Sequence, residues 1–581
     1  MKRMGKMSER HFNLVSTPWL KVIDENNQGQ MVSMEELFTN TRHYRRLAGE
    51  MKSQDLAILR FLLAILTTVY SRFDAHDQSY SWLEIDKKTM KPLAINFQQR
   101  RKKKIKNSLM ATWEELYRNK SFSEVILDYL HVYSKHFDLF DKDTPFYQVT
   151  RDQYDSMVPQ NKVVEKGKGT VAIKQINRTI SESNNKPDVF SPNAPSHKDD
   201  VSLDELARWL ITYQNFTAVT DKTKVNSKEK FSVSRGWLYG LNPVFAKGAN
   251  LFETLMLNLV LAPTFSDLKE KIIRQAPVWE VPVEDYIQTR IDNNFPGNIA
   301  QLYTIWSRAI HIEWDGNQPT IFSAGLPKLN NENAFLEPMT TWKLGKKEGD
   351  PVKPNLRWLN SLGKAMWRNF GQYVPIHISS SSDSKTEIVP GVVSWLNFLQ
   401  RNGLIKSDFS IHLATVGLIN DGNATSQSPA AEFADEMQIN ADVLFDDDPV
   451  AKIRWPALIE NVVQLTIKQG SLLFYFAKSV GELRELGDPG NFANQVTARY
   501  YSRLNQPFYE WLAGLKSDDE SNTKIKEWRD EARRIVILTA SELLNSATPR
   551  EIRGKMVDDK LENIFIDYRI FRASVAKIWE S

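Results

Sequence analysis

Metal-assisted hydrolysis needs histidine and carboxylate side chains converging on one ion, and the nine histidines of this chain are scattered. None of them forms a pair with the i, i+4 spacing of a helical zinc site. His131 and His136 are five apart, on different faces of a helix. His76-Asp77 is a lone dipeptide with no companion histidine nearby. Core, capping or surface roles account for all of them. Phosphate-cradling loops fare no better. Gly167-Lys168-Gly169 is a bare Gly-x-Gly, and Gly363-Lys364 is followed by Ala365 without the upstream glycine such a loop requires. No Gly-x-Ser-x-Gly elbow occurs. Glu114 and Glu115 are adjacent and diverge on a helix. With zero cysteines, disulfides and thiolate metal sites are excluded. The pattern argues against an enzyme and calls for no catalytic residue, metal ion or cofactor.

Recognition is the chemistry left. Net charge is only +4, from 75 basic and 71 acidic residues, so distribution matters more than the sum. Arg100, Arg101, Lys102, Lys103, Lys104 and Lys106 form a dense basic run. Lys222, Lys224, Lys228, Lys230 and Arg235 form a second, diluted by Asp221 and Glu229. Lysines in such a run can displace counterions from phosphates, or simply solvate a loop. Asn420-Asp421-Gly422 is a strong reverse-turn signal after an apolar run, and reads equally as a plain hairpin turn.

These residues must be positioned by a chain of 581 residues, too long for one ordinary core. At 41% apolar and 11% aromatic it can bury a sizeable interior. No apolar h-region follows Met1–Arg10, and Phe61–Tyr70 and Leu251–Ala262 are too short to span a bilayer. A cytoplasmic protein without a membrane partner is expected. Phe12–Ile23 alternates like a strand, and Ser53–Tyr70 reads as a long apolar helix. A looped, lysine-rich segment is expected over 74–107, helical periodicity over Trp113–His136, and polar loops over 150–200. Ser202 with Glu205 predicts a capping box for a helix ending near Phe216. Further helices are expected at Asn250–Leu261, Asn355–Phe370 and Gly391–Asn402, and a strand at Ser410–Ile419.

After Pro449 the pattern changes to helical stretches near 452–485, 489–515, 521–545 and 556–580, with Pro507 expected to kink the second. Leu561, Ile564, Tyr568, Phe571, Val575 and Ile578 recur at steps of three and four, a bundle seam. The expected class is α+β. A large mixed domain with short sheets and helices, 1–449, precedes an antiparallel four-helix bundle, 450–581.

Whole-chain similarity narrows the function. Phe12-Asn13-Leu14 with Pro18-Trp19-Leu20-Lys21-Val22 resembles the opening strand of the CasA family, the large subunit of the type I-E CRISPR Cascade surveillance complex. Phe137-Asp138-Leu139-Phe140 through Thr144-Pro145-Phe146-Tyr147-Gln148 resembles its aromatic-rich segment. The most specific block runs Trp237-Leu238-Tyr239-Gly240-Leu241-Asn242-Pro243-Val244 and on to Asn258; Glu337-Pro338-Met339-Thr340-Thr341-Trp342 follows in family order.

The resemblance implies a non-catalytic reader of the protospacer-adjacent motif in double-stranded DNA. Such a subunit wedges the duplex open for guide pairing and recruits a helicase-nuclease. The implied partners are CRISPR RNA and the backbone, handle-binding and small subunits of Cascade. Carried over by position, the RNA-handle loop falls on Phe190, Ser191, Pro192 and Asn193. A family glycine loop becomes Val219 to Lys224, with Thr220, Lys222, Thr223 and Lys224 facing DNA. The minor-groove lysine falls on Met339, with Thr340 and Lys343 beside it. The wedge is Asn420, Asp421, Gly422, Asn423 and Ala424, with Asn423 where the family has glutamine. Its planar amide can stack on a base, and its reach is shorter by roughly 1.5 Å. The alternative is a structural scaffold that binds only CRISPR RNA and protein subunits.

Overall fold

The computed structural model describes residues 10–96, 102–177, 197, 199–217, 223–232, 235–262, 274–292, 295–315, 318–345, 347, 349–358, 363–374, 388–419, 431–446, 454–557 and 560–579. The chain forms two compact units from discontinuous segments. One comprises Met1–Leu362, Pro390–Phe398 and Ala414–Ala434; the other comprises Gly363–Val389, Leu399–Leu413 and Asp435–Ser581. A boundary near residue 449 therefore falls inside the second unit's last segment.

In the first unit, β1 (Leu20–Asp24) is the centre of a three-stranded sheet, between β2 (Gly29–Val32) and β3 (Tyr44–Leu47). The strand expected from Phe12 begins only at Leu20, because Asn13 instead bridges to Asp138. The spine is α1 (Lys52–Tyr70), buried at every position except Lys52 and Asp55. Among the described residues it alone has the length and apolarity of a membrane span, yet it is a core helix. Phe61, midway along it, meets Trp19, Phe137, Phe146, Tyr147 and Trp279 edge-on, with ring centroids 5.5–6.2 Å apart. Edge-to-face contact suits the ring quadrupoles. The aromatic blocks that carry the resemblance are thus core.

The described part of the basic run does not sit in a loop. From Lys102 it belongs to α2 (Lys102–Asn119), whose Ile105, Leu109, Trp113 and Leu116 are buried at steps of four, four and three. Lysine is a good helix former, so an apolar stripe suffices. This helix stops at Asn119, ahead of Lys120 at φ +53°, so the periodic stretch to His136 is broken in two.

Next, α3 (Leu203–Phe216) begins at Ser202, as expected, but without the capping box. Glu205 instead accepts from Asn177 Nδ2 at 2.6 Å. β4 (Phe245–Lys247) leads into α4 (Leu251–Asn258), capped by Asn250, whose Oδ1 accepts from the Glu253 amide. β5 (Arg308–Asp315) and β6 (Gln318–Gly325) pair antiparallel over their full length. No described part of 355–370 is α-helical. Lys353–Pro354 is a strand, and Met366–Gln372 is a 3₁₀ helix after Gly363 at φ +79°. Gly391–Arg401 is a helix, as expected. β7 (Ser410–Ile419) lies between β4 and β8 (Ala431–Asn440) in a second three-stranded sheet.

The second unit is dominated by α5 (Trp455–Leu483), α6 (Pro489–Ala513), α7 (Ser521–Asn545) and α8 (Ile564–Lys577). Short links at 484–488 and 514–520 make neighbours antiparallel. α5 packs against the other three. Trp528 Nε1 donates to Thr466 Oγ1 at 2.9 Å, and Phe476 stacks on Phe571 at 5.2 Å. α6 approaches so closely that a Cβ on Gly470 would meet the Tyr501 hydroxyl at 2.2 Å. Pro507 lies within a continuous α6. The last helix starts at Ile564, not 556. Leu561 pairs with Met556 in a small hairpin and is 46% exposed, so it leaves the seam.

Candidate nucleic-acid interface

The apolar run from Ser410 to Ile419 forms a strand because nearly every residue is buried, leaving no polar face to alternate. β7 and β8 are hydrogen-bonded neighbours. Gln438 Nε2 donates to Ser410 Oγ at 2.6 Å, and the Ala441 amide donates to Phe409 O at 2.9 Å. The start of β7 therefore lies beside the end of β8, which makes the pair an antiparallel hairpin. Ile419 and Ala431 share its opposite end. Asn420, Asp421, Gly422, Asn423 and Ala424 lie outside the described residues, and β8 is described from Ala431.

Polar contacts, some of them buried, hold the portion of the hairpin in the first unit. Thr415 donates its hydroxyl to Asn242 Oδ1 at 3.1 Å, and Arg357 Nε donates to the same oxygen at 2.5 Å. The Arg357 guanidinium lies 3.7 Å above the ring of Phe433 on β8. Glu432 accepts from the Ser53 amide at 2.7 Å, placing a carboxylate at the N-terminus of α1, where the helix dipole favours it. A Cβ on Gly417 would come within 3.0 Å of Leu241 O.

Asn242 also reaches the 337–343 segment. Its carbonyl accepts from Thr341 Oγ1 at 2.9 Å, and its Nδ2 donates to the same hydroxyl at 3.3 Å. That segment is anchored by Glu337, which is 1% exposed. Arg60 Nη1 and Nη2 each donate to it at 2.8 Å, Trp237 Nε1 donates at 2.6 Å, and the Met339 amide donates at 3.0 Å. Met339 and Thr340 are buried, with the Met339 sulfur 3.9 Å from Arg60 Nη1. Lys343, on a short strand paired with Lys353, is exposed.

The second basic run is partly visible. Phe190, Ser191, Pro192, Asn193, Thr220 and Lys222 lie outside the described residues. Thr223 is buried, and its carbonyl accepts from the Gly325 amide at 2.9 Å. Lys224 is exposed; its Nζ donates to Phe231 O at 2.9 Å and sits 5.4 Å over that ring. Lys228, Lys230 and Lys328 line a cleft of about 930 Å³ with Ser227 and Ser232, against the carboxylates of Glu229 and Asp292. Three ammonium groups and two hydroxyls suit a phosphate backbone.

Among the described residues the histidines do not converge. His76 pairs with Glu115, His131 with Glu35, His197 with Asp200 and His311 with Glu313. Asn242, Arg357, Glu432 and the Arg60–Glu337 pair were not singled out in the sequence. One signal was available: Arg60 is the only charge in Leu56–Tyr70.

A sequence profile described as CRISPR-associated protein Cse1 matches residues 13–538. The chain belongs to the Cse1 family. A curated relative, the CRISPR-associated protein CasA/Cse1 of Thermus thermophilus, is 23% identical over 381 residues. That match covers 64% of this Cse1-family chain and 61% of the relative's length. The crystal structure of Thermobifida fusca Cse1 superposes with a TM-score of 0.73 at 21% identity, covering 98% of each chain. A chain from a CRISPR RNA-guided surveillance complex matches at 0.64 and 15% identity, over 97% of this chain and 99% of that one. These likenesses show that this Cse1-family chain has the same fold.

Proposed function

We propose that this chain is the non-catalytic large subunit of a type I-E CRISPR surveillance complex in the cytoplasm. It reads the protospacer-adjacent motif in double-stranded DNA, opens the duplex with Asn420–Ala424, and recruits a helicase-nuclease. Guide RNA then reads the target by pairing, so the protein recognises only a short motif and duplex shape. Its partners are CRISPR RNA, at Phe190–Asn193, and the backbone, handle-binding and small subunits. The observation that carries this reading is Asn242, which joins the strand entering Asn420 to the segment bearing Lys343. A wedge works only if its base does not yield. Opening one base-pair step costs about 1–2 kcal/mol of stacking, and phosphate contacts at Lys222, Lys224 and the neighbouring lysines offset it.

The test is a gel shift with the assembled complex and duplexes with or without the motif. Asn423→Ala and Lys222→Ala should each weaken motif-dependent binding; unchanged binding would show that the assigned loops are wrong. A scaffold binding only CRISPR RNA and subunits is favoured by the burial of Met339, where the family has its minor-groove lysine. Binding that ignores the motif would select that reading.

A further inference from the structure

Helix α1 has no side-chain cap at its own N-cap position. That position is Met51, whose thioether is at best a weak acceptor, where serine, threonine, asparagine or aspartate ordinarily takes the first free amides. Glu432, at the start of β8 and 379 residues from Ser53, supplies the cap instead. One of its carboxylate oxygens accepts from the Ser53 amide at 2.7 Å and the other from the Lys52 amide at 3.4 Å. Ser53 is fully buried, so its amide depends on that carboxylate rather than on water. A cap brought from so far away ties the end of the core helix to the hairpin. Phe433, the next residue, lies 3.7 Å beneath the Arg357 guanidinium, which in turn donates to Asn242.

The same helix holds the other segment of the interface. Arg60 lies two turns after Ser53, about 10 Å along the axis, and therefore on the same face. Its guanidinium grips Glu337 through two bonds of 2.8 Å. Glu337 also accepts from the Met339 amide at 3.0 Å, which fixes the start of the stretch that leads to Lys343. Between the two grips every residue of α1 except Asp55 is buried, so the helix is a stiff spacer packed into the core.

We infer that Glu432 is a positioning residue: by capping α1 it sets the strand that follows Asn420–Ala424 at a fixed distance from the segment bearing Lys343. The helix is the spacer, with Glu432 at its end and the Arg60–Glu337 pair two turns along. Glu432 acts on DNA only through β8. The inference rests on the duplex-opening role proposed for Asn420–Ala424 and adds that the separation between motif contact and opened base pair is built into one helix.

A local cap separates positioning from stability. In a Glu432→Ala chain, Met51→Asp supplies an acceptor at the N-cap, so the helix end is satisfied while β8 is no longer tied to it. Hydrogen exchange of the full chain reads the tie without DNA. Amides 431–434 are expected to exchange about fivefold faster in the double variant than in the parent, while its melting temperature recovers relative to Glu432→Ala. In the assembled complex, a motif duplex carrying 2-aminopurine at the first target pair reports opening by its fluorescence. Opening should fall about fivefold in Glu432→Ala and stay low after Met51→Asp, whereas binding to the same duplex with that pair mismatched is unchanged. Glu432→Gln keeps a neutral acceptor and should lose only about twofold. Unchanged exchange at 431–434, or opening restored by Met51→Asp, would overturn the inference. Normal opening in Glu432→Ala beside impaired opening in Asn423→Ala would overturn it and leave the duplex-opening role standing. Normal opening in Asn423→Ala would remove that role and this inference with it.

Discussion

Thr415 and Asn242, 173 residues apart in sequence, share a buried hydrogen bond of 3.1 Å in which the threonine hydroxyl donates to the amide oxygen. Arg357 Nε donates to the same oxygen, so one side chain serves the hairpin strand and a neighbouring loop together. Asn242→Ala strands both donors in the interior. The expected loss is about 2–4 kcal/mol, the sum of an unpaired hydroxyl and an unpaired guanidinium contact. Thr415→Val removes only one bond and should lose about 1 kcal/mol. Denaturant titration followed by proteolysis within 410–440 checks both. An Asn242→Ala chain as stable as the parent would remove this knot from the account.

The Arg60–Glu337 pair makes a second prediction. Both partners are essentially unexposed, and each guanidinium nitrogen that meets the carboxylate does so at 2.8 Å. Removing one partner leaves a buried charge, so Arg60→Met or Glu337→Gln should each destabilise by about 3–5 kcal/mol. Arg60→Met with Glu337→Met should recover part of that loss, because no buried charge remains. Thermal unfolding of the three variants reads the sign directly.

What could be read in the sequence was local. Ser410–Ile419 was legible as a strand because its apolar run is uninterrupted, and Gly391–Arg401 because its apolar stripe has helical period. Charge misled at Lys102–Lys106, where four basic residues hid the stripe formed by Ile105, Leu109 and Trp113. The capping box at Ser202 failed because Asn177, far back in the chain, takes the Glu205 carboxylate. The expected helix over 355–370 failed for a related reason: Arg357 is drawn to Asn242 and Phe433. Long-range partners of this kind leave no periodic trace, so the loops of the site were legible only through family resemblance.

Stability should also fall in acid through Glu50. Burial would raise its carboxyl, but hydrogen bonds and charge from Arg208, reinforced by Lys21, hold it at about 2. Arg208 Nη2 donates to it at 2.8 Å. A folded value below the unfolded one contributes stability that is fully present above about pH 4.5 and lost as pH falls through 2. At neutral pH Glu50→Gln should therefore destabilise by about 1–2 kcal/mol, solvent screening reducing the full linkage value, and at pH 2 by much less. Melting curves of parent and variant from pH 2 to 7 should converge at the acid end.

The lysines separate phosphate contact from motif reading. Each phosphate neutralised contributes about 0.9 to the slope of log affinity against log salt. Lys228 and Lys230 line the cleft as exposed side chains, so replacing both with alanine in the assembled complex should lower the slope by about two. The preference for motif over non-motif duplex should not change, because phosphates are common to both. Lys343 is the exposed member of the Met339–Lys343 set. Lys343→Ala should lower the slope by about one and, if it reaches base edges in the minor groove, also shrink the motif preference. A Lys343→Ala complex with an unchanged preference but a lower slope would reassign that lysine to the backbone.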